Sequence, residues 1–374
     1  VTGVQTCALP ICMILGIHSN KKTSIEGDTD AKTTEHAIAR DIKKYGINAI
    51  QIFTHNPRTG VKIAMDYSDV AKITSDIRLL VHGPYNLLRV FMIPEEELKE
   101  QLKILEIQFK AAAAIGASGI VFHISKSTAV NTAMAIKMIL PLAEQYGIQM
   151  IIESVACNTA ANKTYESTKL INEVNKILKS HPLDRFWSWC IDTAHMWSMG
   201  VEVANKHSFA QWLASIERPE KVSTFHLNGS STGFKSGKDK HEIPFTSVDN
   251  IWYNINPTES GVAALVEFAT KYNCVTILEI NRGETQGLEK CIKTVFDLEK
   301  KINERTSTDE QKTTNDNQDD LEDNDNDNDN DNDKSDNDND NDNDNDNDND
   351  KSNEDNQKKS VSDECCKDID LNEE

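Results

Sequence analysis

The stretch Cys190-Ile191-Asp192-Thr193-Ala194-His195 closes a hydrophobic run, residues 186–191, with a carboxylate, and an imidazole follows three residues later. An Asp at a strand end and a His on the loop or helix start beyond it can point into one cavity. Five other apolar runs finish in the same kind of side chain. Residues 79–81 lead to His82, 119–122 to His123, 149–152 to Glu153, 222–225 to His226 and 275–278 to Glu279. Asp239 and His241 lie in the long segment after His226. These nine side chains are of the types that bind zinc, and manganese or iron less selectively. Nine donors exceed what one ion needs. At about three or four protein ligands per catalytic metal, with positions left open for water and substrate, two or three ions fit. A cluster of that kind suits phosphodiester hydrolysis, because one pair of ions lowers the pKa of a bridging water and the metals stabilise the charged leaving oxygen.

Each residue alone has a plainer reading. A single strand-end His is more often a structural hydrogen-bonder than a ligand, a lone DxxH is a weak signal, and Asp239-Lys240-His241 alone reads as a polar loop. The joint occurrence decides between the readings, since unrelated structural roles would not place acids and imidazoles at six consecutive strand ends. His18, His36, His55, His181 and His207 lack that placement and read as structural. His18 ends the first strand, so it is expected to orient a group behind the ligands.

The elements that must position these groups alternate between strand and helix patterns. The strand runs are 14–18, 49–53, 79–82, 119–123, 149–153, 186–192, 222–226 and 275–279. Helix patterns cover about residues 29–45, 67–77, 94–115, 129–146, 167–179, 209–216, 261–272 and 288–301. Gly46, Gly116 and Gly147 stand where helices should stop. Eight βα units in residues 13–302 predict a closed (β/α)8 TIM barrel, with a doubly wound open sheet as the competitor. A barrel gathers its strand C-termini on one face, where active sites lie.

The chain of 374 residues carries a formal charge of -21, which is misleading for the folded part. Residues 303–374 hold 29 Asp and Glu against 7 Lys and Arg, a charge of -22, so residues 1–302 carry +1. That tail is mostly Asp-Asn alternation, too poor in apolar side chains to offset chain entropy, and it is predicted to be disordered. A polyanion of this kind either is simply solvated or binds basic proteins or divalent cations, and beside a DNA-binding face it would weaken non-specific DNA binding. The opening VTGVQTCALPI reads as the translation of a sequencing-library adaptor. Residues 1–12 are therefore set aside as an artefact, with Met13 the expected natural start. The cysteines outside that segment show no disulfide framework or zinc-finger spacing, which indicates a reducing, intracellular compartment. No apolar run approaches the roughly 20 residues that span a bilayer.

With these motifs in place, residues 13–301 resemble the endonuclease IV family of apurinic/apyrimidinic endonucleases. The resemblance rests on FTHNPR (53–58), VHGPY (81–85), VFH (121–123), the Glu of IIES (Glu153), CIDTAH (190–195), FHLN (225–228), KDKHE (238–242) and LE (278–279), in family order. It implies a (β/α)8 barrel with three zinc ions, manganese being able to stand at one site. His82, His123 and Glu153 would hold the first ion. Glu153 would bridge to a second, held also by Asp192, His226 and Glu279, so that Glu153 and Glu279 orient the attacking hydroxide. His195, Asp239 and His241 would hold the third, beside the leaving 3′-oxygen. Incision 5′ of an abasic nucleotide would leave a 3′-hydroxyl and a 5′-deoxyribose phosphate, and 3′ blocking groups would be removed as well. The partner implied is double-stranded DNA, bound by a monomer without a membrane, with Arg58 and Tyr85 entering the duplex at the lesion. The compartment implied is the nucleus or cytoplasm, or a viral factory or virion for a viral protein.

The sequence departs from the family at Ser154-Val155-Ala156-Cys157, Gly229-Ser230-Ser231, Ile243-Pro244-Phe245-Thr246-Ser247 and Ile124-Ser125. No predicted ligand is lost, but loop geometry, bonds behind the ligands and DNA contacts are affected. Together with the tail these departures suggest a divergent branch, such as a large DNA virus or a protist. The nearest rival is a xylose-isomerase-like sugar isomerase or epimerase, which shares the strand-end Glu, Asp, His, Glu set and uses one or two metals. It would not need His82, His123 and the Asp239-His241 pair together. A third class, a catalytically silent lesion-binding module, has no reason to keep nine donors.

Overall fold

A computed structural model of the protein describes residues 13–19, 33–83, 95–123, 128–154, 167–279 and 287–319. In chain order the first half runs β1 (Ile14–His18), α1 (Thr34–Tyr45), β2 (Ala49–Phe53), α2 (Tyr67–Ile73), β3 (Arg78–His82), α3 (Glu95–Ala114), β4 (Gly119–His123), α4 (Ala129–Tyr146), β5 (Gln149–Glu153) and α5 (Ser167–Leu178). The second half runs β6 (Trp187–Asp192), α6 (Thr193–Met199), α7 (Lys206–Ala214), β7 (Val222–His226), β8 (Gly229–Ser230), β9 (His241–Glu242), α8 (Gly261–Tyr272), β10 (Val275–Leu278) and α9 (Leu288–Asp319). The long strands close into a barrel in the order β1-β10-β7-β6-β5-β4-β3-β2. All of its pairings are parallel, as the (β/α)8 expectation requires.

The twofold alternation of a strand explains why the chemistry sits inside. The barrel interior is filled by Ala49, Leu80, Val121, Ile151, Cys190, Val275 and Ile277. Their neighbours Ile50, Leu79, Val81, Ile120, Phe122, Met150, Ile152, Trp189, Ile191 and Leu278 face outward, into the larger core beneath the helices. Two residues beyond an inward position is again inward. Leu80 thus predicts His82, Val121 His123, Ile151 Glu153, Cys190 Asp192 and Ile277 Glu279 on the interior, at the C-terminal mouth. β1 fits closely against β2: a side chain at Gly16 would meet the Ala49 carbonyl oxygen at 2.2 Å, so only glycine passes there.

Helix ends follow local chemistry. Gly46 and Gly147 cap α1 and α4 at φ 61 and 65, where glycine costs least. α1 begins at Thr34 rather than near residue 29, because the Thr33 side chain accepts from the His36 N–H and starts the helix. α7 begins before the expected residue 209, because Asn205 caps it through the Ser208 N–H. α6 and the β8–β9 hairpin lie in segments the periodicity leaves unassigned, being too short to show a period. α9 continues to Asp319, past the expected end at Lys301. The chain divides into two units, residues 1–304 and 305–374. The segment 1–12 and the Asp-Asn repeat lie outside the described residues. No helix among the described residues is long and apolar enough to cross a membrane.

Candidate metal centre

All nine predicted donors converge at the mouth of the barrel. They form three groups whose ligand atoms lie within 4.8 Å of one another: His82, His123 and Glu153; Glu153, Asp192, His226 and Glu279; and Asp192, His195 and His241. Asp239 joins the last group, with Oδ2 3.3 Å from His195 Nε2 and Oδ1 2.9 Å from His241 Nε2.

Glu153 is fully buried, and its two oxygens face different groups. Oε2 lies 2.9 Å from His123 Nε2 and 3.3 Å from His82 Nε2, whose own separation is 3.1 Å. Oε1 lies 3.1 Å from His226 Nδ1. Asp192 is shared in the same way: Oδ2 lies 3.7 Å from His226 Nδ1 and 3.6 Å from His241 Nε2. Glu279 Oε2 is 3.4 Å from both His226 Nδ1 and His241 Nδ1.

These donors fit metal ions on two observations. Both Glu153 oxygens, His195 Nε2 and His226 Nδ1 are buried and make no hydrogen bond among the described residues, an arrangement that is costly unless something binds there. Two ligand atoms each about 2.0 Å from one tetrahedral ion stand roughly 3.3 Å apart, and the spacings in the first group match that.

Partners behind the donors fix which nitrogen each imidazole offers. His82 Nδ1 donates to the Gly83 carbonyl at 2.7 Å and His195 Nδ1 to the Ser154 carbonyl at 2.6 Å, so each presents Nε2. His226 Nε2 donates to Gln51 Oε1 at 3.0 Å and presents Nδ1. Asn228 Nδ2 donates to Asp192 Oδ2 at 2.7 Å, and Asn228 Oδ1 accepts from the Glu279 N–H at 2.9 Å. Thr193 Oγ1 donates to the Asn228 carbonyl at 2.7 Å and accepts from its N–H at 2.9 Å, tying the end of β6 to the end of β7.

Electrostatics follow the pairing. Burial opposes the charge on Glu153, yet the His123 and His226 imidazoles hold its carboxyl well below the usual range. Burial likewise opposes ionisation of Asp239 and Glu279, but His195 and His241 depress the first and His226 the second. The imidazoles move oppositely. Burial disfavours their charge, but Asp192 and Asp239 push His195 well up, while Cys190, Glu279 and Glu153 do the same for His226. Against the same burial, Asp239 and Asp192 bring His241 to about 9. The cavity is built to hold positive charge.

Other expectations resolve as follows. Arg58 is exposed on the loop after β2, where Asn56 Oδ1 accepts from the Arg58 and Thr59 N–H groups at 2.9 and 3.0 Å. Tyr85 lies outside the described residues. His18 is buried at the end of β1, with Nδ1 3.0 Å from Gln51 Nε2. His181 has a structural partner, Nδ1 accepting from the Leu183 N–H at 3.2 Å. Sequence reasoning missed Gln51 and gave Asn228 no role. The signal for Gln51 was an amide in the middle of the apolar strand Ala-Ile-Gln-Ile-Phe, a position that needs a buried polar partner.

The sequence profile of the family described as Xylose isomerase-like TIM barrel matches residues 39–287. The chain is 27% identical over 290 residues to a protein of African swine fever virus (isolate Pig/Kenya/KEN-50/1950) named "Probable AP endonuclease", across 72% of this chain and 94% of that one. The fold is similar to the crystal structure of AsfvAP:AG, with TM-score 0.65 and 24% identity over 78% of this chain and 99% of that one. It is also similar to endonuclease IV from Thermus thermophilus, with TM-score 0.53 and 18% identity over 77% of this chain and 99% of that one. The profile match and the closed eight-stranded barrel together make this chain a member of the xylose isomerase-like TIM barrel family.

Proposed function

We propose that this chain is a DNA-repair hydrolase that cuts the phosphodiester 5′ of an abasic site, leaving a 3′-hydroxyl and a 5′-deoxyribose phosphate, and that it also trims 3′ blocking groups. The observation that carries the reading is the division of the Glu153 oxygens between two donor groups, with a third group of His195, Asp239 and His241 alongside. A sugar isomerase of the same family is served by the Glu153, Asp192, His226 and Glu279 set, and has no use for His82, His123, Asp239 and His241 as well. The name of the viral relative, an AP endonuclease, supports the same choice.

His82, His123 and Glu153 would hold one zinc, Glu153, Asp192, His226 and Glu279 a second, and His195, Asp239 and His241 a third, with manganese able to stand at one of the three. Three such ions supply an activated water and charge stabilisation at the scissile phosphate. The side chains do the rest. Glu153 and Glu279 hold the reacting end of the cavity in a fixed geometry and bring negative charge to it. Asp192 links that end to the His195 and His241 end, so attack and departure of the leaving oxygen are held at a set separation. Arg58, exposed beyond β2, is placed to reach the duplex, and an abasic nucleotide leaves the stack cheaply because it has little stacking to lose.

The test is to add zinc to chelated protein in steps and follow nicking of a duplex carrying one tetrahydrofuran lesion. Activity should plateau only as the third equivalent binds. Turnover of a ketose at one or two equivalents, without nicking, would install the isomerase reading. Binding to the lesion without turnover would leave a silent module.

A further inference from the structure

Gln51 is fully buried in β2, inside the barrel, and its carboxamide touches three functional side chains at once. Nε2 lies 2.9 Å from Glu279 Oε1 and 3.0 Å from His18 Nδ1, and Oε1 lies 3.0 Å from His226 Nε2. The assignment of these atoms follows from one group. An ionised carboxylate only accepts, so the amide atom facing Glu279 must be the NH2. That NH2 only donates, so His18 Nδ1 must accept and the His18 proton sits on Nε2. The remaining amide atom is the oxygen, which only accepts, so His226 must donate from Nε2 and keep Nδ1 for the cavity. His18 Nε2 is buried and has no partner among the described residues.

We infer that Gln51 is a positioning residue that fixes the tautomers of His226 and His18 together, and that the His18 Nε2–H donates to an oxygen of the phosphate substrate. The geometry explains why an amide stands there. Leu or Ile would fill the same volume but leave Glu279, His18 and His226 free to turn. Glu would still accept from His226 Nε2 but would repel Glu279 and draw the His18 proton to Nδ1. The substrate half of the inference rests on the nuclease reading; the tautomer half does not.

The test is two-bond 15N–1H spectroscopy of the imidazole rings in the zinc-loaded full-length chain, read beside nicking of a tetrahydrofuran duplex. His226 should show a protonated Nε2, and His18 a protonated Nε2 with a bare Nδ1. A proton on His18 Nδ1 in the unmutated protein overturns the inference without recourse to any variant. In Gln51→Leu, His18 should become a mixture of tautomers, and zinc affinity should fall by about 10–100-fold, the usual effect of losing a partner behind a ligand. Unchanged ring signals and unchanged affinity overturn it. For His18, Gln carries an N–H close to the Nε2 position and Phe does not. H18Q should retain nicking and H18F lose most of kcat with little change in KM, and equal activity of H18F and the unmutated chain would overturn the substrate contact. A protein with the expected ring signals that cuts no DNA would sink the nuclease reading and leave the role of Gln51 standing.

Discussion

The Asp192 Oδ1 atom accepts a hydrogen bond from the His195 N–H at 2.9 Å, so the carboxylate that ends β6 is also the N-cap of α6. The other oxygen of the same carboxylate faces the cavity, 3.6 Å from His241 Nε2. The three-residue spacing is therefore the spacing of a helix cap and the third helical residue. It sets His195 one turn of helix away from a group that also belongs to the Glu153 end of the site. Thr193, between them, locks this corner to Asn228.

Thr193→Val tests that corner. The substitution keeps shape but removes the hydroxyl that both accepts from and donates to the buried Asn228 backbone. Leaving such groups unmatched costs about 1–3 kcal/mol each. Thermal or urea unfolding of the chelated protein should show a loss of about 2 kcal/mol or more, with weaker zinc binding, whereas Thr193→Ser should restore most of both.

Metal removal should act through protons as well as through contacts. His195, His226 and His241 have raised pKa values, the last at about 9, because carboxylates, and for His226 Cys190 first, surround them. A ligand imidazole must shed its proton, so apparent zinc affinity should rise with pH up to about 9 and fall as the pH drops. Calorimetry in buffers of different ionisation enthalpy should register proton release on binding at pH 7. At zinc about 1,000-fold above Kd, the metal should add roughly 4 kcal/mol of stability that a chelator abolishes.

Asp184 offers a pH test away from the site. Burial opposes its charge, but Arg218 and Lys221 hold it below the usual carboxylate value, with Arg218 Nη2 at 2.7 Å and Lys221 Nζ at 3.2 Å. A carboxyl depressed in the folded state stabilises fully above its unfolded pKa and loses that contribution as pH falls through its folded pKa. Asp184→Asn should therefore lower stability near neutral pH, and its stability should decline less steeply than that of the unmutated chain below about pH 4. Parallel acid limbs in the two proteins would remove Asp184 from the account.

The acidic tail should act on binding rather than on the barrel. Residues 1–304 form their own unit, and the -22 charge lies beyond residue 302. A chain ending at Glu304 should unfold like the full chain. It should bind undamaged DNA more tightly at low salt, with the difference shrinking toward about 0.2 M salt as screening grows. Equal affinity at all salt concentrations would make the tail a bystander.

Much of the site was readable because strand periodicity and ligand chemistry coincide. His82, His123, Glu153, His226 and Glu279 end apolar runs, so their types and their positions point the same way. Asp239 and His241 were readable by residue type but not by position, since the hairpin that carries His241 has strands of two residues, too short to show a period. Gln51 was invisible as a site residue because its role lies in bonds across the barrel to His18, His226 and Glu279. Neighbours on other strands set those bonds, and spacing along one strand does not. The segment after Asp192 was left open as a loop or a helix start, because the residues that start the helix are the ones that also read as chemistry.

The most direct test of the account is incubation of zinc-loaded full-length protein with a duplex bearing one tetrahydrofuran site, beside the intact duplex and the Glu153→Ala protein. The account predicts a single cut immediately 5′ of the lesion, ending in a 3′-hydroxyl, with none in the intact duplex and none from Glu153→Ala, which remains folded. No incision by the zinc-loaded protein, or equal incision by Glu153→Ala, would contradict it.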